Sequence, residues 1–161
     1  FPSMTVRENV LVGLHPELGV GFWRGLAGRN GRAAPEAESR ARDLLRRLGL
    51  ESVADRPVGE LPPGRQRLVE MARAVVSGPR LLLLDEPTAG LDPGETRDFV
   101  SILRELRDSG GVAVLLVEHH METVMEVADR VVVLHFGRII AEGPPAEVQR
   151  DPAVIEAYLG A

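Results

Sequence analysis

Apolar residues in the first half of the chain recur at helical spacing. SMTVRENV places Thr5 three residues before Glu8, the spacing of a capping box, and so predicts a helix that begins after Thr5. Pro35 opens a second predicted helix, and Gly49 ends it. A third helix is predicted from near Gly64 to the SGP stop at 77–79. The apolar faces of the second and third helices are Ala37, Ala41, Leu44, Leu45 and Leu48, and Leu68, Met71, Ala72, Val75 and Val76, respectively.

The hydrophobic pattern changes after Pro79. LLLLD at 81–85 and VAVLLVE at 112–118 are uninterrupted apolar runs of strand length, typical of strands buried on both faces. Between them we expect a helix that ends near Gly110. Strand, helix and strand in this order predict a βαβ unit with a parallel sheet, and so an α/β fold. The apolar face of the helix is Phe99, Ile102, Leu103 and Leu106.

The remaining segments show weaker signals. A short helix is predicted from Met121 to Ala128, and VVVLHFGRIIAEG predicts a hairpin that turns at Phe136–Gly137, followed by a helical tail. From His15 to Ala34 the chain is rich in Gly and Arg without periodicity, so we expect a long loop or broken helices there. The chain therefore divides near residue 78 into a helical part and an α/β part.

Composition narrows the functional classes. Of the 161 residues 44% are hydrophobic, enough for one domain with a core. Acidic residues outnumber basic ones 24 to 19, and the formal charge of −5 argues against a dedicated nucleic-acid binder. There is no cysteine, which excludes disulfides, thiolate metal sites and cysteine nucleophiles.

Two carboxylates mark the end of the first predicted strand. Asp85 and Glu86 stand where open α/β sheets bind their ligands, and adjacent strand residues point to opposite faces. One carboxylate can therefore serve a hard cation that accompanies nucleotide phosphates, while the other orients a hydrolytic water and accepts its proton. An ordinary strand end with a polar turn explains the same residues.

The following loop, EPTAGLDPGE, strengthens the first interpretation. Pro87 stops the strand, Gly90 permits an unusual backbone angle, and Asp92-Pro93 predicts an N-cap followed by a first-turn proline. The loop is therefore tight and lies directly after the carboxylates. A strand-to-helix turn without a ligand would need the same residues.

The second strand ends in VEHH, which brings His119 to the same predicted sheet edge as Glu86. A histidine there could contact a transferring phosphate or the attacking water, although a capping or solvated histidine is the plainer interpretation. Glu118, His119 and His120 also raise the question of zinc. We expect no zinc site, because adjacent strand residues diverge and no further ligand has suitable spacing.

The stretch LPPGRQR at 61–67 forms a corner before the third helix. The first backbone N–H groups of a helix are unpaired and its positive end faces outward, so this corner is a candidate anion site. A proline-initiated helix without a ligand fits equally well. Arg65 and Arg67 are as compatible with surface charge as with phosphate contact.

Together these segments match a known family. LPPGRQRLVEMARAVVSGPRLLLLDEPTAGLDP resembles the signature, Walker B and D-loop block of ABC-type ATPases, and VEHH resembles their switch-histidine segment. MTVRENVLVG, FWRGL and GRIIAEGPPAEVQRDPAVIEAYLG look most like ATP-binding subunits of branched-chain amino-acid importers, with polar-amide and urea importers as related alternatives. The resemblance implies an ABC helical subdomain at 1–78 and, at 79–161, the C-terminal part of an incomplete RecA-like P-loop NTPase core.

The resemblance also implies roles for residues. Asp85 would organise Mg²⁺, Glu86 would polarise the attacking water, and His119 would contact the γ-phosphate of ATP. Asp92 would help to join two ATP-binding subunits. The corner that would address ATP held by the opposite subunit is Pro62, Pro63, Gly64, Arg65 and Gln66.

The partners implied by the resemblance are a second ATP-binding subunit and a membrane-embedded permease that residues 1–78 would meet. A solute-binding protein would act indirectly, no nucleic acid would be involved, and the location would be the cytoplasmic face of the cell membrane.

The sequence departs from the usual pattern of the family in two places. Pro62 and Pro63 replace a serine hydroxyl and a glycine N–H of the usual LSGGQ, leaving donors from Gly64 onward, and His120 replaces a common aspartate.

A missing motif limits the prediction. A P-loop requires a lysine, and all 19 basic residues here are arginine. The chain also starts at Phe1 in mid-pattern, so we expect a fragment that neither binds ATP tightly nor hydrolyses it, within a longer protein that does. Its sheet would expose an unpaired edge.

Two other functions remain open. One is an ABC-class ATPase that acts on nucleic acid or the ribosome, for which the seven arginines between 24 and 47 could be cited. Glu36, Glu38 and Asp43 interleave them, which better suits a solvated helix. The other is a non-catalytic interaction module, which the two prolines favour and the intact Asp85 and Glu86 oppose.

Overall fold

The structure, a computed structural model, describes residues 1–15, 35–109 and 111–159. The chain splits into two compact units, Phe1–Leu115 and Leu116–Ala161. The loop or broken helices predicted up to Ala34 lie, apart from His15, outside the described residues. The predicted boundary near residue 78, between a helical subdomain and a RecA-like core, stays a prediction.

The first unit opens with helix α1, Val6–Val12. Its capping box is the predicted one: the Glu8 N–H donates to Thr5 Oγ1 at 3.2 Å, and the Thr5 N–H donates to Glu8 Oε2 at 2.8 Å. Each bond satisfies a backbone donor that the first turn would leave unpaired. Val6 and Val10 are fully buried, so this face of α1 enters the core.

Two longer helices pack beside α1. Helix α2 is Pro35–Arg47 and helix α3 is Pro63–Val75; short 3₁₀ turns at Glu51–Val53 and Val58–Glu60 precede α3. Gly49 ends α2 with φ 67, as predicted, because glycine tolerates this left-handed backbone. All five predicted core residues of α2 are buried. On α3, Leu68 was predicted to face the core but is only partly buried. Its neighbour Val69 is buried instead, at 1% exposure.

Strand β1 (Leu81–Asp85), helix α4 (Pro93–Asp108) and strand β2 (Ala113–Val117) follow in the predicted order. The two strands are hydrogen-bonded neighbours in a two-stranded sheet. The α4 side chains that enter the core are Phe99, Val100, Leu103 and Leu106. The βαβ order expected of an α/β protein is therefore present.

The prediction that both strands are buried on both faces is wrong for the described chain. Leu82 is 4% exposed, whereas Leu81 and Leu83 are 54% and 66% exposed. Leu115 and Val117 on β2 are exposed by 58% and 55%. Successive strand residues point to opposite faces, so these values mean that one face of each strand lacks apolar cover among the described residues.

The second unit contains helix α5 (Met121–Val127), the antiparallel strands β3 (Val131–His135) and β4 (Arg138–Gly143), and helices α6 (Pro145–Val148) and α7 (Pro152–Leu159). Its core centres on buried Val131, Val148 and Val154.

The predicted hairpin turn is confirmed. His135 pairs with Arg138, and the two residues between them, Phe136 and Gly137, have φ 46 and 76. Positive φ at both central positions is the geometry that matches the twist of a two-residue hairpin.

Among the described helices, none is long and apolar enough to cross a membrane.

The exposed strand leucines lead to a prediction about association. We expect the 161-residue chain to self-associate, because Leu81 and Leu83 place adjacent apolar side chains in water. The double variant Leu81→Ser/Leu83→Ser should lower the associated fraction in sedimentation velocity.

The matched control is the buried neighbour. Leu82→Ala should leave association largely unchanged and lower the free energy of unfolding by about 2–5 kcal/mol, the usual cost of a core cavity. A clean wild-type monomer with a sharp, reversible thermal transition would contradict the prediction.

Candidate functional site

The two carboxylates at the end of β1 are both exposed. Glu86 has φ 43, in the left-handed region that residues other than glycine seldom adopt. Such a backbone costs of the order of 1–3 kcal/mol and persists only where the surroundings impose it, most often at functional sites. Phe136 adopts a similar angle in a hairpin turn, so the conformation of Glu86 fits both a functional site and a tight turn.

Buried residues and a hydrogen bond hold the turn after Glu86. Pro87 and Thr88 are buried, and the Ala89 N–H donates to the Glu86 carbonyl at 3.1 Å. Gly90 has φ 77, the unusual angle predicted for it. Burial directly after Glu86, together with the turn, keeps both carboxylates at the surface.

Asp92 is the N-cap of α4, as predicted. Its Oδ1 accepts hydrogen bonds from the N–H groups of Gly94 at 2.7 Å and Glu95 at 2.9 Å. Glu95 completes a capping box by accepting the Asp92 N–H at Oε2, 3.2 Å away. Side chains of its own first turn therefore fix the start of α4. The contact of Asp92 with a second subunit stays a prediction.

The LPPG corner is a helix start led by prolines. Pro62 is the N-cap of α3, and Pro63 is its first residue. Both prolines and Arg65 are exposed, whereas the Gln66 side chain turns back and donates to the Leu61 carbonyl at 2.8 Å. The described Gln66 conformation stabilises the corner itself, and nucleotide contact by this residue stays a prediction.

A contact at this corner had no counterpart in the sequence pattern. The Gly64 N–H donates to Glu95 Oε1 at 3.1 Å, across 31 residues. The first of the donors from Gly64 onward is therefore paired within the described structure, and its contact with a phosphate stays a prediction. The capping-box spacing of Asp92 and Glu95 was a visible signal, but nothing local in the sequence connects Glu95 to Gly64.

A cleft of about 470 Å³ opens beside this contact. Pro62, Gly64, Arg65 and Glu95 line it, together with residues at the end of α2 and along α4. Leu68 and Ile102, predicted to be core residues, also line it, which explains their partial burial. Glu95, which is half-buried, thus borders this cleft.

The second unit holds the histidine segment. The side chain of His119 is 60% exposed, whereas that of Glu118 is fully buried. Glu118 Oε2 lies 3.9 Å from His119 Nδ1 and 3.5 Å from His120 Nδ1, and the imidazole centroids are 4.3 Å apart. These groups therefore form a compact cluster.

This cluster corrects the argument against a metal. The divergence expected of adjacent strand residues fails because β2 ends at Val117, before Glu118. The three side chains place one potential ligand atom each within 4.8 Å of one another. Such surface clusters are common without an ion, so the geometry alone assigns no metal here.

The predicted site residues are distributed over both units: Asp85, Glu86, Asp92 and the corner lie in the first, and His119 lies in the second. Within the first unit, Glu95 links the corner to Asp92. The gathering of Asp85, Glu86 and His119 along one edge stays a prediction.

Comparison with known proteins identifies the family. Residues 1–89 match a family model described as ABC transporter, and residues 138–161 match one described as branched-chain amino acid ATP-binding cassette transporter. The chain is 43% identical, over 99% of its length, to the high-affinity branched-chain amino acid transport ATP-binding protein LivG of Salmonella typhimurium. It is 41% identical, again over 99%, to BraF of Pseudomonas aeruginosa, which carries the same description.

Solved structures agree. The ADP conformation of MJ1267, an ATP-binding cassette of an ABC transporter, is similar with a TM-score of 0.81 and 33% identity over 99% of this chain. The chain spans 64% of the length of LivG, of BraF and of the MJ1267 chain. The predicted α/β fold, an incomplete P-loop NTPase core preceded by helices, is thereby confirmed. The chain belongs to the ABC transporter family.

Proposed function

We propose that these residues are part of the ATP-binding subunit of an importer for branched-chain amino acids. The observation that carries the choice of solute class is the match of residues 138–161, because this family model is narrower than the general one. The names of LivG and BraF point the same way. Hydrolysis of ATP would drive a permease at the cytoplasmic face of the cell membrane, with a solute-binding protein acting indirectly.

The exposed carboxylates supply the proposed chemistry. Asp85 offers the hard oxygen that Mg²⁺ prefers, and its exposure leaves room for the water ligands that this ion retains. Bound Mg²⁺ would neutralise phosphate charge on ATP. The separate carboxylate of Glu86 orients a water molecule and accepts its proton at the carboxylate oxygen.

His119 is proposed to hold the phosphate. Its exposed imidazole can donate a hydrogen bond to a phosphate oxygen, and its N–H backbone group is already fixed by Glu118 Oε2 at 3.2 Å. The buried carboxylate of Glu118 lies beside both imidazoles, so it can orient His119. The assignment of this role to His119 over His120 rests on the family motif.

The same proposal assigns surfaces to partners. The corner would face ATP held by a second ATP-binding subunit through Pro62, Pro63, Gly64, Arg65 and Gln66. Asp92 would help to join the two subunits. Residues 1–78 would form the helical subdomain that meets the permease, and residues 79–161 would belong to the RecA-like core.

One prediction concerns the 161 residues alone. We expect no ATP binding at micromolar concentration by isothermal titration calorimetry, because the chain has no lysine to neutralise the β- and γ-phosphates. Micromolar affinity would show that the phosphates are held without a P-loop. The intact protein, titrated in parallel, should bind.

A second prediction concerns the catalytic carboxylate. In the intact protein, Glu86→Gln should lower ATP turnover by on the order of 10²-fold or more while ATP affinity stays within about twofold, because the amide keeps the shape but cannot accept a proton. Glu105→Gln, an exposed glutamate on α4, is the control and should keep normal turnover. Normal turnover of Glu86→Gln would remove Glu86 from its proposed role.

The third prediction concerns the solute. Cells that carry Glu86→Gln in place of the native protein should lose uptake of radiolabelled leucine by at least about tenfold and keep uptake of urea and glutamine. Loss of urea or glutamine uptake with leucine uptake intact would reassign the importer and leave the ATPase function standing.

A further inference from the structure

One carboxylate in the first unit binds two backbone segments at once. Glu95 Oε1 accepts the N–H of Gly64 at 3.1 Å, and Oε2 accepts the N–H of Asp92 at 3.2 Å. We infer that Glu95 is a positioning residue that holds the LPPG corner in a fixed place relative to Asp92. This inference rests on the proposed function, which assigns both segments to the nucleotide site shared with a second subunit.

The corner needs an acceptor from outside. Pro62 and Pro63 have no N–H, so Gly64 is the first residue of α3 that can donate. This N–H points out of the positive end of α3, where a carboxylate is stabilised by the helix dipole. Glu95 supplies that carboxylate and accepts the backbone N–H of Gly64, which is a buried residue.

Close approach is possible only because residue 64 is glycine. A Cβ added at Gly64 would overlap the carboxylate and Cγ of Glu95. Gly64 is itself buried, although Pro62 and Pro63, which precede it, are exposed. The glycine tip of the corner therefore makes an internal contact, in which its N–H is bonded to Glu95.

Glu95 is well held for this task. It lies in the first turn of α4, and Asp92 Oδ1 accepts its backbone N–H at 2.9 Å. The backbone bond and the two bonds accepted by the carboxylate connect the corner to the start of α4, a 16-residue helix with four buried apolar side chains. Displacement of Asp92 would therefore be transmitted to the corner, and the reverse.

A simpler account is that Glu95 only completes the capping box of α4. That account predicts no effect of Glu95 on Gly64, whereas the inferred link requires loss of both bonds together. The two accounts differ in one measurable quantity, the hydrogen-exchange rate of the Gly64 amide.

The experiment uses the intact protein and three variants. Glu95→Ala removes both acceptors, Glu95→Gln keeps one acceptor oxygen, and Glu105→Ala is an exposed control on the same helix. Amide hydrogen exchange of Gly64 and Asp92 is measured by NMR, with Val69 and Leu103 as reporters of the folded helices. Steady-state ATPase kinetics are measured on the same samples.

We expect both amides to exchange at least about tenfold faster in Glu95→Ala, and only one of them to do so in Glu95→Gln. Val69, Leu103 and the Glu105→Ala variant should be unchanged. Because the corner would act on the reacting phosphate, kcat for Glu95→Ala should fall on the order of tenfold while KM for ATP changes less than about twofold.

Two results would overturn the inference: an unchanged Gly64 amide in Glu95→Ala, or faster exchange at both amides with normal kcat. Absence of ATPase activity in the wild-type protein would instead defeat the proposed function, and the exchange rates would still report whether the link exists.

Discussion

The end of β1 is fixed by burial on both sides of its two carboxylates. Leu82, at 4% exposure, ties the strand to the core before them, and buried Pro87 and Thr88 tie the turn after them. Between these anchors Glu86 adopts φ 43, a backbone that a glutamate does not choose without constraint. The surrounding core therefore offsets the cost of holding Glu86 at the surface, where its carboxylate can meet water and a ligand.

A second constraint arises at the corner of α3. Two consecutive prolines stiffen the chain and remove two donors, and the helix then depends on Glu95 for its first available N–H. In this way the departure from the usual signature sequence is coupled to the capping box of α4. The corner and the start of α4, which are far apart in sequence, are joined by hydrogen bonds through Glu95.

Local signals predicted local structure well. The Thr5 and Glu8 capping box, the Asp92 cap and the Phe136–Gly137 turn were all visible in short segments, because each is stabilised by groups within a few residues. Non-local features were missed. Strand exposure depends on what covers a face, and the contact of Glu95 with Gly64 joins elements 31 residues apart. The prediction for the Glu118–His120 cluster was wrong because strand alternation was applied to three residues beyond the end of β2 at Val117.

The most direct test is a crystal structure of the intact protein with Mg²⁺ and a non-hydrolysable ATP analogue. We expect the Asp85 and Glu86 carboxylates and the His119 imidazole to lie within hydrogen-bond reach of the γ-phosphate, its metal or the water beside it, directly or through one water. A structure in which the γ-phosphate is bound and these three side chains point elsewhere would contradict the proposed site.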